Sequence, residues 1–367
     1  MHVGLIPHVD DPFYVVAPGL TGVVLGFSSG KSNMTTPTVD LPPEQVEDCI
    51  AYRREGAIGI IEFDNPDGGF ITAPMVLVLD RITQEWESNP DIRAVILTGR
   101  NPGTFITHYS PSELQDVSAE VNKCHTDAEV RKMRRQAVKT LRMVQWASRI
   151  EPLYRWLNRR FGEGPLKGLL AVLNFHRMLN RWQRSGTVFI AAINGNAMGG
   201  GFEVAMACDF RLMARGEGVV GLPESISGIL PGSGGTQRMA RLIGAGRAVE
   251  LILTGTLFEA EEAAAAGLVS RAVDADTLAD EAMALALQMA GQPLLAVQGV
   301  KRSVHLGNDL SMEEGTFEEA RNLMTALLSR DAALLSARYL KRREEGSTPL
   351  ETFAEFRKGN AVELTGN

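Results

Sequence analysis

Two glutamates and two glycine clusters are the residues in this chain best placed to do chemistry. Glu203 follows Gly199-Gly200-Gly201, and Glu224 follows Pro223. A second cluster comes next, Pro231-Gly232-Ser233-Gly234-Gly235-Thr236-Gln237-Arg238, and it too predicts the start of a helix. Phe202, Ala205 and Met206 recur at helical spacing, which predicts a helix opening at the first glycines. The first N–H groups of a helix have no internal partner, and its aligned peptide dipoles favour negative charge there. Glycine lets another group approach that backbone closely. The arrangement suits an anion, or an oxygen that becomes one during a reaction. A carboxyl beside it can carry a proton. Each glutamate also has a plainer use: a first-turn Glu complements the helix dipole, and a Pro-Glu pair commonly starts a helix.

The elements that must position these residues are legible around them. Val188 to Ile193 is a short apolar run bounded by turn formers, which predicts a buried strand ended by Asn194-Gly195-Asn196. Upstream, Ile58 to Phe63 predicts a strand and Asn65-Pro66-Asp67-Gly68-Gly69 a turn. Pro74 to Glu87 follows as a helix with Val76, Leu79, Ile82 and Trp86 on one face, and Ile92 to Leu97 as another strand. After Gln237, Arg247 to Leu253 and Glu259 to Ala266 predict helices, and Val269 to Val273 a short strand. Thr277 to Ala290, Pro293 to His305, Ser311 to Ser329 and Ala333 to Arg343 predict successive helices. A loose tail is expected after Gly346, with Leu350 to Phe356 able to add a turn. The fold class is α/β.

Several of these segments, in this order, resemble the crotonase (enoyl-CoA hydratase/isomerase) superfamily. They are Ala191-Ala192-Ile193-Asn194-Gly195, Met198-Gly199-Gly200-Gly201-Phe202-Glu203, Cys208-Asp209, Pro223-Glu224, the second glycine cluster and Leu253-Thr254-Gly255. The likeness covers Ala57 to Leu114 and Thr187 to Val273, with a fainter match as far as Arg343. It implies a β-β-α spiral core with a C-terminal helical domain that assembles trimers or dimers of trimers. The organisation expected is an N-terminal extension at 1–45, the core at 46–275 with an insertion at 117–186, and the helical domain at 276–367.

The resemblance further implies an acyl-CoA substrate and no metal or other cofactor. The thioester oxygen would sit in an oxyanion hole made by the backbone N–H groups of Tyr109 and Gly200, with His108, Gly199 and Gly232 binding substrate. Glu203 and Glu224 would hold a water between them, one as base and one as acid, to hydrate a 2-enoyl-CoA. A Δ3-Δ2-enoyl-CoA isomerase, needing one proton-shuttling Glu, is the alternative. A non-catalytic acyl-CoA-binding or scaffold protein is the alternative of another class. Three departures stand out. His108 replaces a glycine, and Tyr109 brings a phenol to a position usually small. Asp67 to Thr72 replaces the family's usual adenine-contact segment. The two glutamates are one residue further apart than in the family's hydratases, an excess assigned to Arg215-Gly216-Glu217-Gly218.

Composition narrows the remaining options. The chain has 367 residues, 44% hydrophobic and 22% charged, and a net charge of −7, so nothing marks it as a whole for nucleic acid. Cys49, Cys124 and Cys208 show no metal-ligand spacing and fit a reducing compartment, so a cytoplasmic location is expected. No signal peptide is expected at the N-terminus. Gly26-Phe27-Ser28-Ser29-Gly30 fits the serine-hydrolase pattern, but the polar, proline-containing stretch after it predicts no helix to carry such an elbow. Residues 117–186 hold 15 lysines and arginines against 5 acidic residues. Their amphipathic spacing predicts a helical cap with a solvated basic face, packed on the protein's own acidic body. A grip on coenzyme A phosphates or an acidic carrier protein, or contact with a membrane surface, are its other readings.

Overall fold

The computed structural model describes Phe13–Val15, Leu25–Phe27 and residues 49–162 and 167–357. The chain divides into two units, Met1–Asp40 and Leu41–Asn367. In the first, β1 (Phe13–Val15) pairs antiparallel with β2 (Leu25–Phe27). Ser28 of the Gly-x-Ser-x-Gly match lies outside the described residues.

The second unit begins with β3 (Ile50–Glu55), β4 (Ile58–Phe63), helix α1 (Ala73–Ser88), β5 (Ala94–Gly99) and β6 (Gly103–Ile106). A helical stretch follows: α2 (Pro111–Ala119), α3 (Asp127–Ala147), α4 (Glu151–Phe161) and α5 (Lys167–Trp182). Next come β7 (Val188–Ile193), β8 (Gly195–Met198), α6 (Gly200–Ala207), β9 (Phe210–Ala214) and β10 (Val220–Gly221). After a 3-10 turn at Glu224–Ser227, the chain forms α7 (Gly235–Ile243), α8 (Ala245–Thr254), β11 (Leu257–Phe258), α9 (Ala260–Ala265) and β12 (Arg271–Val273). It then continues as α10 (Leu278–Ala290), α11 (Leu294–Gly307), α12 (Met312–Leu327), α13 (Arg330–Glu344) and α14 (Pro349–Arg357). Helix α14 takes up the stretch after Gly346 where a loose tail with one optional turn was expected.

Six strands make the larger sheet in the order β12-β9-β7-β5-β4-β3, and four make the smaller one in the order β11-β10-β8-β6. Within the larger sheet β4, β5, β7, β9 and β12 run parallel, and β3 is antiparallel at the edge. Parallel strands are covered on both faces, so β7 reads as a continuous apolar run, every residue of it buried. Three times the chain leaves a strand of the larger sheet, bends, and adds a short strand to the smaller one: β5 to β6, β7 to β8, β9 to β10. This is the β-β-α spiral the resemblance implied.

The bend after β7 is locked by Asn194. Its Nδ2 donates to the Gly99 carbonyl at 2.8 Å and its Oδ1 accepts from the Gly99 N–H at 2.9 Å, fastening the ends of β5 and β7 together. Beside it a Cβ on Gly195 would lie 1.9 Å from the Gly103 carbonyl carbon, so only glycine lets β6 and β8 meet there.

Layers of helix cover both faces of the larger sheet. Helix α1 starts at Thr72, whose hydroxyl accepts from the Met75 N–H, and buries Met75, Val76, Leu79 and Ile82 on one side. Trp182 of α5 stacks on Phe189 at 4.7 Å, and its indole N–H donates to Thr83. On the other side α10 places Leu278, Ala282, Leu285 and Ala286 against Ile58, Ile60, Ile190 and Leu212. The Cys208-Asp209 pair has a structural use in this layer. The Asp209 carboxylate accepts from the Phe189 N–H and from the buried Lys301 ammonium, both at 2.8 Å, tying α11 to the start of β7.

Candidate active site

The site is built where β8 passes into α6. Gly199 has φ 49° and ψ −122°, donates its N–H to the Gly221 carbonyl and accepts from the Glu203 N–H. A Cβ on Gly199 would sit 2.8 Å from Glu224 Oε1, in a backbone region that L side chains rarely adopt. A Cβ on Gly200 would lie 3.2 Å from the Tyr109 amide nitrogen, and one on Gly201 only 1.9 Å from the Ile106 carbonyl oxygen. The three glycines thus let α6 lean directly against the segment after β6.

That segment is held by a bridge to Ile71. The Ile71 N–H donates to the His108 carbonyl and the Ser110 N–H donates to the Ile71 carbonyl, both at 2.9 Å. The two bonds straddle Tyr109, whose amide meets no backbone acceptor among the described residues. The Gly200 amide opens α6 and has no intrahelical partner. Two neighbouring backbone N–H groups from chain segments about ninety residues apart in sequence are therefore brought together without a backbone acceptor among the described residues.

The side chains of the two departures have defined places. His108 is half-buried beside Gly199, with its ring tilted on Phe70 at 4.8 Å. Its Nδ1 is 2.5 Å from the Tyr109 carbonyl; a carbonyl can only accept, so the Nδ1 carries the proton. The Tyr109 phenol lies beside Glu113, and burial raises its pKa. The Glu113 carboxylate in turn accepts from the Ala73 N–H at the start of α1. His108 and Tyr109 thus form part of one wall of the site.

Glu203 is 2% exposed, and its Oε1 accepts from the Ser233 and Gly235 N–H groups, both at 2.6 Å. Burial pushes its carboxyl pKa up; the Gly235 and Ser233 amides and the Arg238 cation pull the other way. Glu224 opens the 3-10 turn and is half-buried. Its Oε2 is buried with no hydrogen-bond partner. Burial, and secondarily the charge of Glu203, push its pKa up to about 7. The environments differ in kind: Glu203 receives amides and a nearby cation that support a charge, whereas Glu224 faces an anion. In the turn from β9 to β10, Gly216 takes φ 72° with nothing within 4 Å of its Cβ direction.

Gly232 stands on the outer edge of the second glycine cluster, exposed, with its carbonyl accepting from His176 Nε2 at 2.6 Å. Arg238, buried in α7, donates to the Ser233 carbonyl, Asn180 Oδ1 and Gln183 Oε1. Burial lowers its pKa to about 10, against the opposing pull of Glu203. His176, Ser233, Gly235 and Arg238 were not assigned roles from the sequence. For Arg238 a signal was present: an arginine on the apolar side of a helix behind a glycine cluster must find acceptors nearby.

A profile of the enoyl-CoA hydratase/isomerase family matches residues 164–345. A short-chain-enoyl-CoA hydratase of Clostridioides difficile is 46% identical over 131 residues, covering 36% of this chain and 83% of that protein. A probable enoyl-CoA hydratase of Mycobacterium bovis is 41% identical over 157 residues, 43% of this chain. The chain spans 61% of the length of that mycobacterial relative. The solved structure of an enoyl-CoA hydratase from Bacillus anthracis superimposes with a TM-score of 0.61 at 26% identity, over 87% of this chain and 100% of that one. The fold is that of the crotonase superfamily. The chain belongs to the enoyl-CoA hydratase/isomerase family.

Proposed function

We propose that the chain is an enoyl-CoA hydratase, adding water across the C2=C3 bond of a 2-enoyl-CoA. The observation that carries this reading is Glu224: a half-buried carboxyl beside Gly199 whose Oε2 is buried without a hydrogen-bond partner among the described residues, its pKa pushed up to about 7 by burial and by the charge of Glu203. The thioester oxygen is received by the Tyr109 and Gly200 amides, which stabilise the negative charge that grows on it. Glu203, whose Oε1 accepts from two amides, is in this reading the carboxylate that takes a proton from water as the water oxygen bonds to C3. Glu224 is the protonated partner that delivers a proton to C2. One water is consumed, and a proton returned from Glu203 to Glu224 through solvent resets the pair. The reaction so written uses only carboxyls, amides and water. His108, Gly199 and Gly232 border the substrate's place in this reading.

Isomerisation of a 3-enoyl-CoA is the second reading, favoured by the double amide bond at Glu203, which fits Glu224 as sole proton shuttle. The test is to follow both reactions with the purified full chain, hydration of crotonyl-CoA by its absorbance and isomerisation of a 3-enoyl-CoA by product analysis. Hydration as the faster reaction supports the first reading. Isomerisation alone moves the assignment to the second, and turnover of neither thioester removes both.

A further inference from the structure

The connection between β6 and β7 packs on one side only. On α3, Met133, Leu141, Val144 and Ala147 share a face turned wholly or partly from solvent. The opposite face carries Arg131, Arg135 and Arg142, Arg149 continues it just past the helix end, and Arg134 stands on its flank, all five exposed. Among the described residues no acidic side chain forms an ion pair with any of these five. The insertion is therefore a cap by its apolar seam; Arg155, Arg177 and Arg181 pair with the protein's own acidic groups, whereas these five arginines do not.

Large apolar side chains lie among these cations. Val138 and Trp146 sit on the same face, 51% and 45% exposed. Ile150, at the corner between α3 and α4, is 45% exposed. On α4, Trp156 is 38% exposed, with Arg155, Arg159 and Arg160 around it. Beneath, the hairpin is fixed to α5: the Tyr154 hydroxyl donates to Asn174 Oδ1, Asn174 Nδ2 donates to Asn158 Oδ1, and Arg177 donates to the Ser148 carbonyl.

We propose that this α3–α4 face docks on an anionic lipid surface. Asp127 to Phe161 holds 10 lysines and arginines against 3 acidic residues in a chain of net charge −7, so the molecule is strongly polarised toward this face. Guanidinium groups bind anionic headgroups, and tryptophans and aliphatic side chains gain by entering the boundary beneath them. A nucleic acid offers phosphates to the arginines but no apolar layer for Val138 and Ile150, so lipid matches both halves of the face. The proposed contact is peripheral, and no single described helix is long and apolar enough to cross a membrane.

The test is flotation of the full chain with phosphatidylcholine vesicles made with and without phosphatidylserine, at low and physiological salt, and with a nucleic-acid oligonucleotide as competitor. The expected result is binding to the phosphatidylserine vesicles only, weakening as salt rises. Arg131→Gln/Arg135→Gln/Arg142→Gln lowers the partition coefficient about a hundredfold, at about fivefold per basic residue. Trp146→Ser/Trp156→Ser also weakens binding and removes a blue shift of tryptophan emission on vesicle addition. Unchanged melting temperatures show that these surface variants fold. No binding to phosphatidylserine vesicles at low salt overturns the proposal. So do equal binding to neutral vesicles, insensitivity to both variants, and capture of the oligonucleotide but not of vesicles.

Discussion

The Oε1 oxygen of Glu203 stands 2.6 Å from the amide nitrogen of Gly235, thirty-two residues further along the chain. The same oxygen takes the Ser233 amide, and Arg238 grips the carbonyl of Ser233 from behind. The second glycine cluster is thus a cradle for one carboxylate, and a Cβ on Gly235 would close it, lying 2.9 Å from that oxygen. Glu224 has no such cradle. This asymmetry is the physical basis for assigning two like side chains opposite proton roles.

It sets a pH dependence. The folded pKa of Glu224 is raised to about 7 from an ordinary 4.5. If the protonated form delivers the proton to C2, kcat/KM falls as pH rises through about 7, and Glu224→Gln loses that limb with the activity. Stability follows the same sign. For a carboxyl whose folded pKa is raised, the favourable contribution is complete below the unfolded value and lost as pH rises through the folded one. The wild type should therefore lose melting temperature relative to Glu224→Gln between pH 4.5 and about 7. Parallel melting curves of the two proteins would show Glu224 to be solvated and unperturbed.

Arg238→Gln removes the cation that supports Glu203 and the donor to Ser233 and Asn180. Breaking such a buried charged network costs about 3 kcal/mol of stability. The acid limb of the pH–rate profile should move to higher pH, because the Glu203 carboxyl then protonates more easily, and kcat should fall with KM little changed. Arg238→Lys restores the charge but cannot span three acceptors, so it recovers the pH limb only in part. An unmoved limb in Arg238→Gln would confine the arginine to a structural role.

Gly199→Ala places a Cβ against Glu224 Oε1 at 2.8 Å, on a residue with φ 49°. The backbone strain alone is about 1–2 kcal/mol. The larger effect falls on the site, since Glu224 must move: the expectation is a loss of turnover exceeding tenfold in a protein that still melts cooperatively. Calorimetry together with the crotonyl-CoA assay separates the two effects.

The C-terminal helices leave apolar side chains uncovered, among them Met312 at 83%, Phe317 at 75% and Leu328 at 80% exposure. Taken with the resemblance, we propose that they meet in a homotrimer. Light scattering on the eluting protein should give three times the chain mass, and Phe317→Asp should reduce it toward the monomer. A monomeric wild type would leave these faces to another partner.

Much of this was legible in the residues, for reasons that are local. Val188 to Ile193 announces a strand buried on both faces because nothing in it is polar, and Gly199 to Gly201 announces a close backbone approach because no side chain is present to prevent one. What stayed hidden depends on contacts between distant parts of the chain. Nothing near Glu203 reveals that its hydrogen bonds come from residues 233 and 235, or that His176 reaches Gly232 across 56 residues. The basic character of residues 117–186 was plain, but which way the arginines face required knowing what Val144, Ala147 and Leu157 bury themselves against. The resemblance implied Tyr109 as a backbone donor; nothing in the sequence revealed that its phenol lies beside Glu113.

The central claim is that two carboxyls act together on one thioester held by two amides. Its most direct measurement is the kcat for crotonyl-CoA hydration by wild type, Glu203→Gln and Glu224→Gln, with CoA-thioester binding measured alongside. The account predicts that each substitution lowers kcat by about 100- to 10,000-fold while leaving binding within a few-fold of wild type. A Glu203→Gln enzyme that hydrates at the wild-type rate would contradict it.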